Sequence, residues 1–348
     1  MRQTWQRLHQ NPQKFTHFFT RELIVRAIRE FFVKRNFHEV EVPLLAPNLP
    51  AESYLEIFET TLLNRHRLAK RAFLTTSPEM FLKKLLVAGS GNCFTITKSF
   101  RNTEDLSDIH NPEFTILEWY RVEADYNDLM RETEELLVHI WQKLFPQQKN
   151  LGLKYQGQKI DLTLPWERLS MAEAFSRYTQ VDLTTILDEQ SLRHLAAKRG
   201  YQVTPTSAWE ELFNQIYLNE VVPRFSKNRP TIIYDYPVQL AALAAKKKPS
   251  DPRFVERFEV YIAGLELADC CSELTDWQEQ EKRFQQEVKT RQRLRKTAYP
   301  HDEEFIEALK LGLPKCAGIA LGVDRLVMLF ANAARIQDVL FFPAEEMW

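Results

Sequence analysis

Hydrophobic and polar positions follow two different rhythms along this chain, and each rhythm predicts a different kind of element. Apolar residues three and four positions apart indicate amphipathic helices, and a Ser-Pro pair is typical of a helix start. By these signs we expect helices over residues 17–36, from Ser77 onward, and over 127–145, 276–295 and 323–334.

Alternation of apolar and polar residues with a period of two predicts short strands. Strands scattered among helices and joined by tight turns favour an α+β fold with an antiparallel sheet over a regular βαβ series. We interpret residues 165–230, which are mostly helical in pattern, as an insertion in a single domain spanning residues 1–348. The expected strands cover residues 39–43, 94–101, 114–120, 231–237, 318–322 and a hairpin over 258–268 that turns at Ala263 and Gly264.

The charge balance is nearly neutral, with 46 basic and 47 acidic residues and a formal net charge of -1. No overall positive field therefore favours nucleic acid as a partner. The sequence contains no apolar leader and no apolar run long enough to cross a bilayer, so a soluble cytoplasmic protein without membrane contact is expected. The four cysteines form no C-x-x-C pair, which favours reduced buried thiols over zinc ligands or disulfides.

The strands before and after residue 105 carry the most informative polar side chains. Arg101 ends the first strand, and Glu118 and Tyr120 share one face of the second. Their side chains can point into one pocket, which would hold an anion at one end and a cation at the other. Glu79 and Glu273 add carboxylates that, with these residues, could bind the two amines of a diamino acid.

The predicted hairpin over residues 258–268 carries two further carboxylates on one face. With a two-residue turn at Ala263 and Gly264, Tyr261 lies opposite Glu266, and Glu259 becomes a diagonal neighbour of Glu266. Two like charges on a buried face repel each other unless a cation lies between them, and Mg²⁺ held by carboxylates and phosphate oxygens fits that need. A solvated sheet face is the alternative.

Several longer motifs, taken together and in order, resemble the class II aminoacyl-tRNA synthetases in their lysyl form. Residues 100–102 with 110–114 resemble motif 2, residues 318–325 resemble motif 3, and residues 39–43 resemble the end of motif 1, the dimer element. The closer resemblance is to the elongation factor P lysyltransferase (β-lysine ligase) family, a truncated paralogue without the anticodon-binding domain. Ala320, where lysyl-tRNA synthetases usually have glycine, would disfavour α-lysine and suit a β-amino acid.

The resemblance implies an antiparallel sheet flanked by helices, a homodimer, and an ATP- and Mg²⁺-dependent ligase. Such an enzyme activates lysine or (R)-β-lysine as an aminoacyl-adenylate and transfers it to a lysine of elongation factor P, with tRNA an unfavoured partner. The implied catalytic residues are Arg101 and Arg325, and the implied metal ligands are Glu259 and Glu266. The implied substrate-binding residues are Ser77, Pro78, Glu79, Tyr120, Glu273 and Ala320, and the implied ATP-binding residues are Arg101, Asn102, Thr103, Asn111, Phe114, Glu266, Leu267, Gly322 and Arg325.

Three departures from the family pattern leave other functions open. Thr103 stands where the family has glutamate, with Glu104 one place late in a longer loop; Asp269 and Cys270 replace Asn-Gly; and residues 234–237 read Tyr-Asp-Tyr-Pro. Aspartate at position 269 in place of asparagine exchanges an amide, which both donates and accepts hydrogen bonds, for an anionic carboxylate that only accepts them. This change would favour a more cationic substrate. A stand-alone core that charges tRNA, a carrier or a small molecule, and a non-catalytic regulatory paralogue, are the alternatives.

Overall fold

The computed structural model describes residues 4–12, 15–103, 106–241 and 246–348. The strands are β1 (His38–Glu39), β2 (Leu45–Ala46), β3 (Glu59–Leu63), β4 (Ala69–Leu74), β5 (Cys93–Phe100), β6 (Glu113–Val122), β7 (Gly152–Tyr155), β8 (Gln158–Asp161), β9 (Glu167–Ser170), β10 (Thr231–Pro237), β11 (Phe254–Ile262), β12 (Leu265–Ser272) and β13 (Cys316–Gly322). The α-helices are α1 (Thr4–Gln10), α2 (Phe15–Val33), α3 (Glu79–Val87), α4 (Tyr126–Leu144), α5 (Met171–Thr179), α6 (Glu189–Lys198), α7 (Trp209–Ile216), α8 (Trp277–Arg293), α9 (Glu303–Gly312), α10 (Val323–Ala331) and α11 (Ala344–Met347).

Eight strands form the central sheet in the order β1-β5-β6-β13-β12-β11-β10-β9. All neighbours inside it are antiparallel, and only the two edge pairs, β1 with β5 and β9 with β10, run parallel. The α+β fold with an antiparallel sheet flanked by helices is therefore confirmed. A small sheet, β2-β4-β3, and the hairpin β7-β8 lie outside it.

One face of the central sheet is covered by α2, α4 and α10. Alternate strand residues such as Trp119, Val260 and Ile319 point into this layer and meet apolar stripes of the helices, including Phe32 and Val327. Because side chains alternate along a strand, the residues between these ones must face the other side of the sheet. That opposite face carries the polar residues singled out above.

Helices also cover both ends of the opposite face. At the β5–β6 end, Tyr120 packs with residues of α3 and α9, including Leu82 and Phe305. At the β10–β11 end, Tyr261 packs with helices of the segment between β9 and β10, including Phe213 of α7. The helices α5, α6 and α7 match the mostly helical pattern of residues 165–230, and the single-domain interpretation stays a prediction.

One expected strand is much shorter in the structure, and the expected hairpin differs in its register. The strand over residues 39–43 pairs only as His38–Glu39, because the chain turns away before Pro43, whose ring leaves no N–H for a ladder. The hairpin has its predicted turn, with Ala263 and Gly264 both at positive φ and Tyr261 opposite Glu266. A bulge just before the turn then shifts the register of the rest of the pair.

The buried carboxylate of Asp324 ties three elements together. It accepts the backbone N–H of Thr115 in β6 at 2.7 Å and pairs with Arg21 of α2, while Asp324 itself belongs to the first turn of α10. An acceptor of this kind satisfies a backbone donor that water cannot reach.

Replacing Asp324 by asparagine should destabilise the fold by about 1–3 kcal/mol, since the amide turns a donor toward Arg21 and loses the charge. Urea unfolding would measure the free energy. The matched control is Glu22→Gln, which removes an exposed ion pair between Glu22 and Arg26 on α2, the helix that carries Arg21. It should lower the free energy of unfolding by less than about 0.5 kcal/mol. Equal losses in both variants would contradict the role of Asp324.

Candidate active site

The polar face of the sheet contains one row of directly opposed residues that crosses five strands. The register pairs Glu259 with Asp269, Asp269 with Ala320, Ala320 with Glu118, and Glu118 with Thr95. Directly opposed side chains on one face have Cβ atoms about 4.5–5.5 Å apart. The register therefore brings residues from five separate chain segments onto one short line.

In the next row of the same face, two side chains lie directly against the backbone of Gly318. Gly318 lies opposite Tyr120 on one side and Cys271 on the other. A Cβ added at Gly318 would overlap the ring of Tyr120 and the carboxylate of Glu273. Only glycine lets these two side chains lie directly on the strand, so this position fixes the floor of the pocket.

At the β6 side of the pocket, Glu118 accepts two hydroxyl hydrogen bonds. The hydroxyls of Ser77 and Tyr120 each donate to this carboxylate at 2.9 Å, and the Ser77 oxygen also accepts the backbone N–H of Glu79 at 3.0 Å. Pro78 is the N-cap residue of α3, whose first residue is Glu79. Burial raises the pKa of Glu118 to about 8, and the charge of Glu79 adds to the rise. A bound ammonium group would supply the positive charge that this carboxylate lacks.

Lys83 is a residue of the pocket that sequence reasoning missed. Its ammonium group lies 2.5 Å from Glu79 and 2.6 Å from Glu273, and its side chain is only 2 % exposed. Burial opposes its charge, but the two carboxylates outweigh burial and raise the pKa of Lys83. Burial also raises the pKa of Glu273 to about 7. The spacing of four residues between Glu79 and Lys83 on a predicted helix was the available signal.

At the other end of the same face lie the two arginines. The Arg101 guanidinium lies over the ring of Phe114, 5.2 Å from its centroid. Arg325 donates to the carbonyl oxygen of Glu266 at 2.8 Å, and its other terminal nitrogen lies 2.9 Å from Nε2 of His110. Two fixed guanidinium groups form an end of the cleft that suits phosphate oxygens.

The residues expected to hold Mg²⁺ fit a cation that also binds phosphate. Glu266 is solvent-accessible at the mouth of the cleft, yet desolvation by the surrounding protein and the charge of Glu259 raise its pKa to about 7. Among the described residues, no group of three or more metal-binding side chains is present. Two carboxylates with substrate oxygens completing the shell are the arrangement that Mg²⁺ commonly takes.

Arg257 changes the expected effect of Asp269. The bulge of the hairpin places Asp269 opposite Glu259, and Arg257 donates to both oxygens of Asp269, at 2.9 and 3.0 Å, and to Glu259 at 2.7 Å. The Asp269 side chain is 36 % exposed, yet desolvation by the surrounding protein raises its pKa to about 6, although Arg257 opposes the rise. Asp269 therefore shares the Arg257 guanidinium with Glu259, and Arg257 compensates only part of the negative charge that the two carboxylates bring to the pocket.

Residues 234–237, another departure, form part of the wall behind this pair. A bulge in β10 places Asp235 at positive φ, where its carboxylate accepts the hydroxyl of Tyr126 at 2.8 Å and pairs with Lys248. The Arg257 guanidinium lies over the ring of Tyr236, 4.6 Å from its centroid. The four cysteines are buried and free, as expected.

The remaining residues of the expected ATP site lie in the loop between β5 and β6 and at the end of β13. The backbone N–H of Asn102 donates to the carbonyl oxygen of Glu56 at 2.9 Å, and its side-chain amide donates to the carbonyl oxygen of Ile57 at 3.2 Å. The next residue, Thr103, has a positive φ. Asn111 is engaged internally, donating to the Glu113 carbonyl at 2.6 Å and accepting the Ala344 N–H at 3.0 Å. Gly322 lies beside Leu267 and Arg325, and Glu104 lies outside the described residues.

Comparison with known proteins agrees with this architecture. The family model of the class II tRNA synthetases (D, K and N) matches residues 1–346. The chain therefore belongs to the class II tRNA synthetase family.

Among its relatives, the chain is 37% identical over 342 residues to the lysine–tRNA ligase of Carboxydothermus hydrogenoformans, covering 98% of this chain and 68% of that protein. It is 37% identical over 344 residues to the lysine–tRNA ligase of Pelotomaculum thermopropionicum, covering 98% of this chain and 66% of that protein. It is 36% identical over 326 residues to the lysine–tRNA ligase of Magnetococcus marinus, covering 94% of this chain and 63% of that protein. The chain thus spans about two thirds of the length of these relatives. No helix in its described part is long and apolar enough to cross a membrane.

Replacing Gly318 by alanine should lower the free energy of unfolding by about 1–3 kcal/mol, because the new methyl group overlaps Tyr120 and Glu273. Urea unfolding would test this. In the control Gly322→Ala, the added Cβ lies 3.8 Å from Arg325 and 3.9 Å from Leu267, which is ordinary contact. Equal stability of both variants would contradict the close packing on Gly318.

The free energy of unfolding should fall as pH rises from about 5 to 8. Glu118 keeps its proton in the folded chain until about pH 8 and loses it near 4.5 when unfolded, so the folded state binds more protons in this window. The contribution of one such group is at most roughly 1.4 kcal/mol per pH unit. Glu118→Gln should flatten the decline in urea unfolding at pH 5 and 8, while Glu135→Gln, at an exposed site on α4, should not. An unchanged decline in Glu118→Gln would refute this assignment.

Proposed function

We propose that this protein is an ATP-dependent ligase that activates lysine or (R)-β-lysine as an aminoacyl-adenylate. The acceptor that we propose is a lysine side chain of elongation factor P, so the product is an amide bond. Membership of the class II tRNA synthetase family supports the first part of the proposal. The transfer to elongation factor P is supported by the motifs quoted from the sequence, including Ala320.

The observation that carries the proposal is the distribution of charge along the polar face of the sheet. Carboxylates of Glu79, Glu118 and Glu273 surround one end, where they can bind amines, and Arg101 and Arg325 lie at the other end. A diamino acid bound between the two ends would direct its own carboxylate toward the arginines. ATP bound there would meet that carboxylate with its α-phosphate.

The chemistry then has two steps. The substrate carboxylate attacks the α-phosphorus of ATP, forming a mixed anhydride with AMP and releasing pyrophosphate. The acceptor amine then attacks the carbonyl carbon of that anhydride, forming the amide and releasing AMP. Arg101 and Arg325 would stabilise negative charge that develops on the phosphate oxygens, and bound Mg²⁺ would neutralise the phosphates further. No protein nucleophile is needed, because positioning of the reactants supplies most of the acceleration.

Charging of tRNA by this core is a second candidate. Its support is that the relatives named above are lysine–tRNA ligases. The nearly neutral net charge of the chain is an argument against it, since tRNA binding usually draws on a positive field. The homodimer through residues 39–43 and a cytoplasmic location stay predictions.

The protein should catalyse amino-acid-dependent exchange of pyrophosphate into ATP with α-lysine or (R)-β-lysine, and ornithine is the comparison substrate. Arg101→Ala should reduce the exchange rate about a hundredfold, because one preorganised cation at the phosphates is lost. The control Arg26→Ala removes an arginine that is 71 % exposed on α2 and should leave the rate unchanged. Absence of exchange with all three amino acids would refute the ligase proposal and favour a regulatory paralogue.

Mass analysis separates the two acceptors. The protein is incubated with ATP, Mg²⁺, the amino acid that supports exchange, and either elongation factor P or tRNA. Gain of one aminoacyl mass on a lysine of elongation factor P supports the proposal. Aminoacylated tRNA together with unmodified elongation factor P would overturn the proposed acceptor and support tRNA charging.

A further inference from the structure

A buried tyrosine holds the carboxylate of Glu259 from the side opposite Arg257. The hydroxyl of Tyr261 donates to Oε2 of Glu259 at 2.7 Å, while Arg257 donates to Oε1 at 2.7 Å. Tyr261 and Glu259 are 5 % and 7 % exposed. Hydrogen bonds to both oxygens fix the plane of the carboxylate, and hydrogen bonds to a charged group are stronger than neutral ones.

Two further tyrosines lie behind Tyr261. The hydroxyl of Tyr217 lies 3.5 Å from that of Tyr261 and 3.2 Å from that of Tyr236, and all three side chains are buried. A carboxylate only accepts hydrogen bonds, so Tyr261 must donate toward Glu259. The Tyr261 oxygen can then accept from Tyr217, and the Tyr217 oxygen from Tyr236. We call these three residues the tyrosine cluster.

Tyr217 comes from the helical segment between β9 and β10, which lies outside the three family motifs at residues 39–43, 100–114 and 318–325. It begins a π-helical turn over residues 217–221, directly after α7. Phe213 stacks on the Tyr217 ring at 5.8 Å, and Phe225 meets the ring of Tyr261 edge-on at 5.1 Å. π-Helical turns are rare and occur often at functional sites. The aromatic packing holds the Tyr217 hydroxyl against Tyr261.

We infer that Tyr217, acting through Tyr261, is a positioning residue for Glu259, so that the helical segment between β9 and β10 helps to bind Mg²⁺ with ATP. The inference rests on the proposed function, because Glu259 is a metal ligand only if the cleft binds ATP with Mg²⁺. Loss of the cluster would loosen the Glu259 carboxylate without removing any group that touches the substrates.

Isothermal titration calorimetry with ATP at a series of MgCl₂ concentrations tests the inference without relying on catalysis. Tyr261→Phe should raise the Mg²⁺ concentration for half-maximal ATP affinity about tenfold, the size of effect that follows loss of a partner behind a metal ligand. Tyr217→Phe should raise it about threefold, because its hydrogen bond is long. Both variants should regain the wild-type ATP affinity at saturating Mg²⁺.

The matched control is Tyr201→Phe, which removes a hydroxyl that donates to Glu220 at 2.9 Å in the same segment. It should leave the Mg²⁺ dependence unchanged, and thermal unfolding would confirm that all three variants stay folded. Tyr236→Phe supplies a second test of the cluster if Tyr217→Phe is unstable, and it too should raise the Mg²⁺ requirement.

The outcomes separate the inference from the proposed function. ATP binding by the wild type with an unchanged Mg²⁺ requirement in the Tyr217 and Tyr236 variants would overturn the inference and leave the proposed function standing. An effect of Tyr261→Phe alone would also overturn it, because the helical segment would then have no part. Absence of ATP binding by the wild-type protein would refute the proposed function itself.

Discussion

Mutual repulsion among carboxylates on one sheet face is the physical constraint on which the site depends. The register of β11, β12, β13 and β6 places Glu259, Asp269 and Glu118 in a single row, and desolvation by the surrounding protein raises the pKa of two of them. Arg257 compensates part of this charge through its ion pairs with Glu259 and Asp269, and Lys83 compensates the neighbouring carboxylates of Glu79 and Glu273. The compensation is incomplete, and the remaining negative charge is what a bound ammonium group or divalent cation would neutralise.

The fold provides this crowded row with a rigid support on its other side. Helices α2, α4 and α10 bury the alternate residues of the same strands, so a slip of the register by one residue would expose the whole apolar set. The register is therefore fixed by the core, and the positions of the polar residues follow from it. Asp324 adds a polar tie between the two sides, since it begins α10 and accepts a backbone hydrogen bond from β6.

Sequence patterns predicted much of the fold and the outline of the site. The period of two placed Glu118 and Tyr120 on one face, and the hairpin turn placed Tyr261 opposite Glu266, as found. The bulge was not predicted, because an extra residue in one strand leaves the alternation on either side intact, and it is the bulge that moves Asp269 opposite Glu259. The assigned roles of the site residues stay predictions.

The sequence by itself determined the local periods, the order of the longer central strands and helices, and the carboxylates and arginines that an amino-acid-activating site needs. Only the tertiary structure decided which charges compensate each other. Lys83 reaches Glu273 across 190 residues of chain, and Tyr217 reaches the strand of Glu259 from a segment without any motif. Such contacts depend on the packing of separate elements on one sheet face, and hydrophobic periodicity carries no information about which distant side chains that packing brings together.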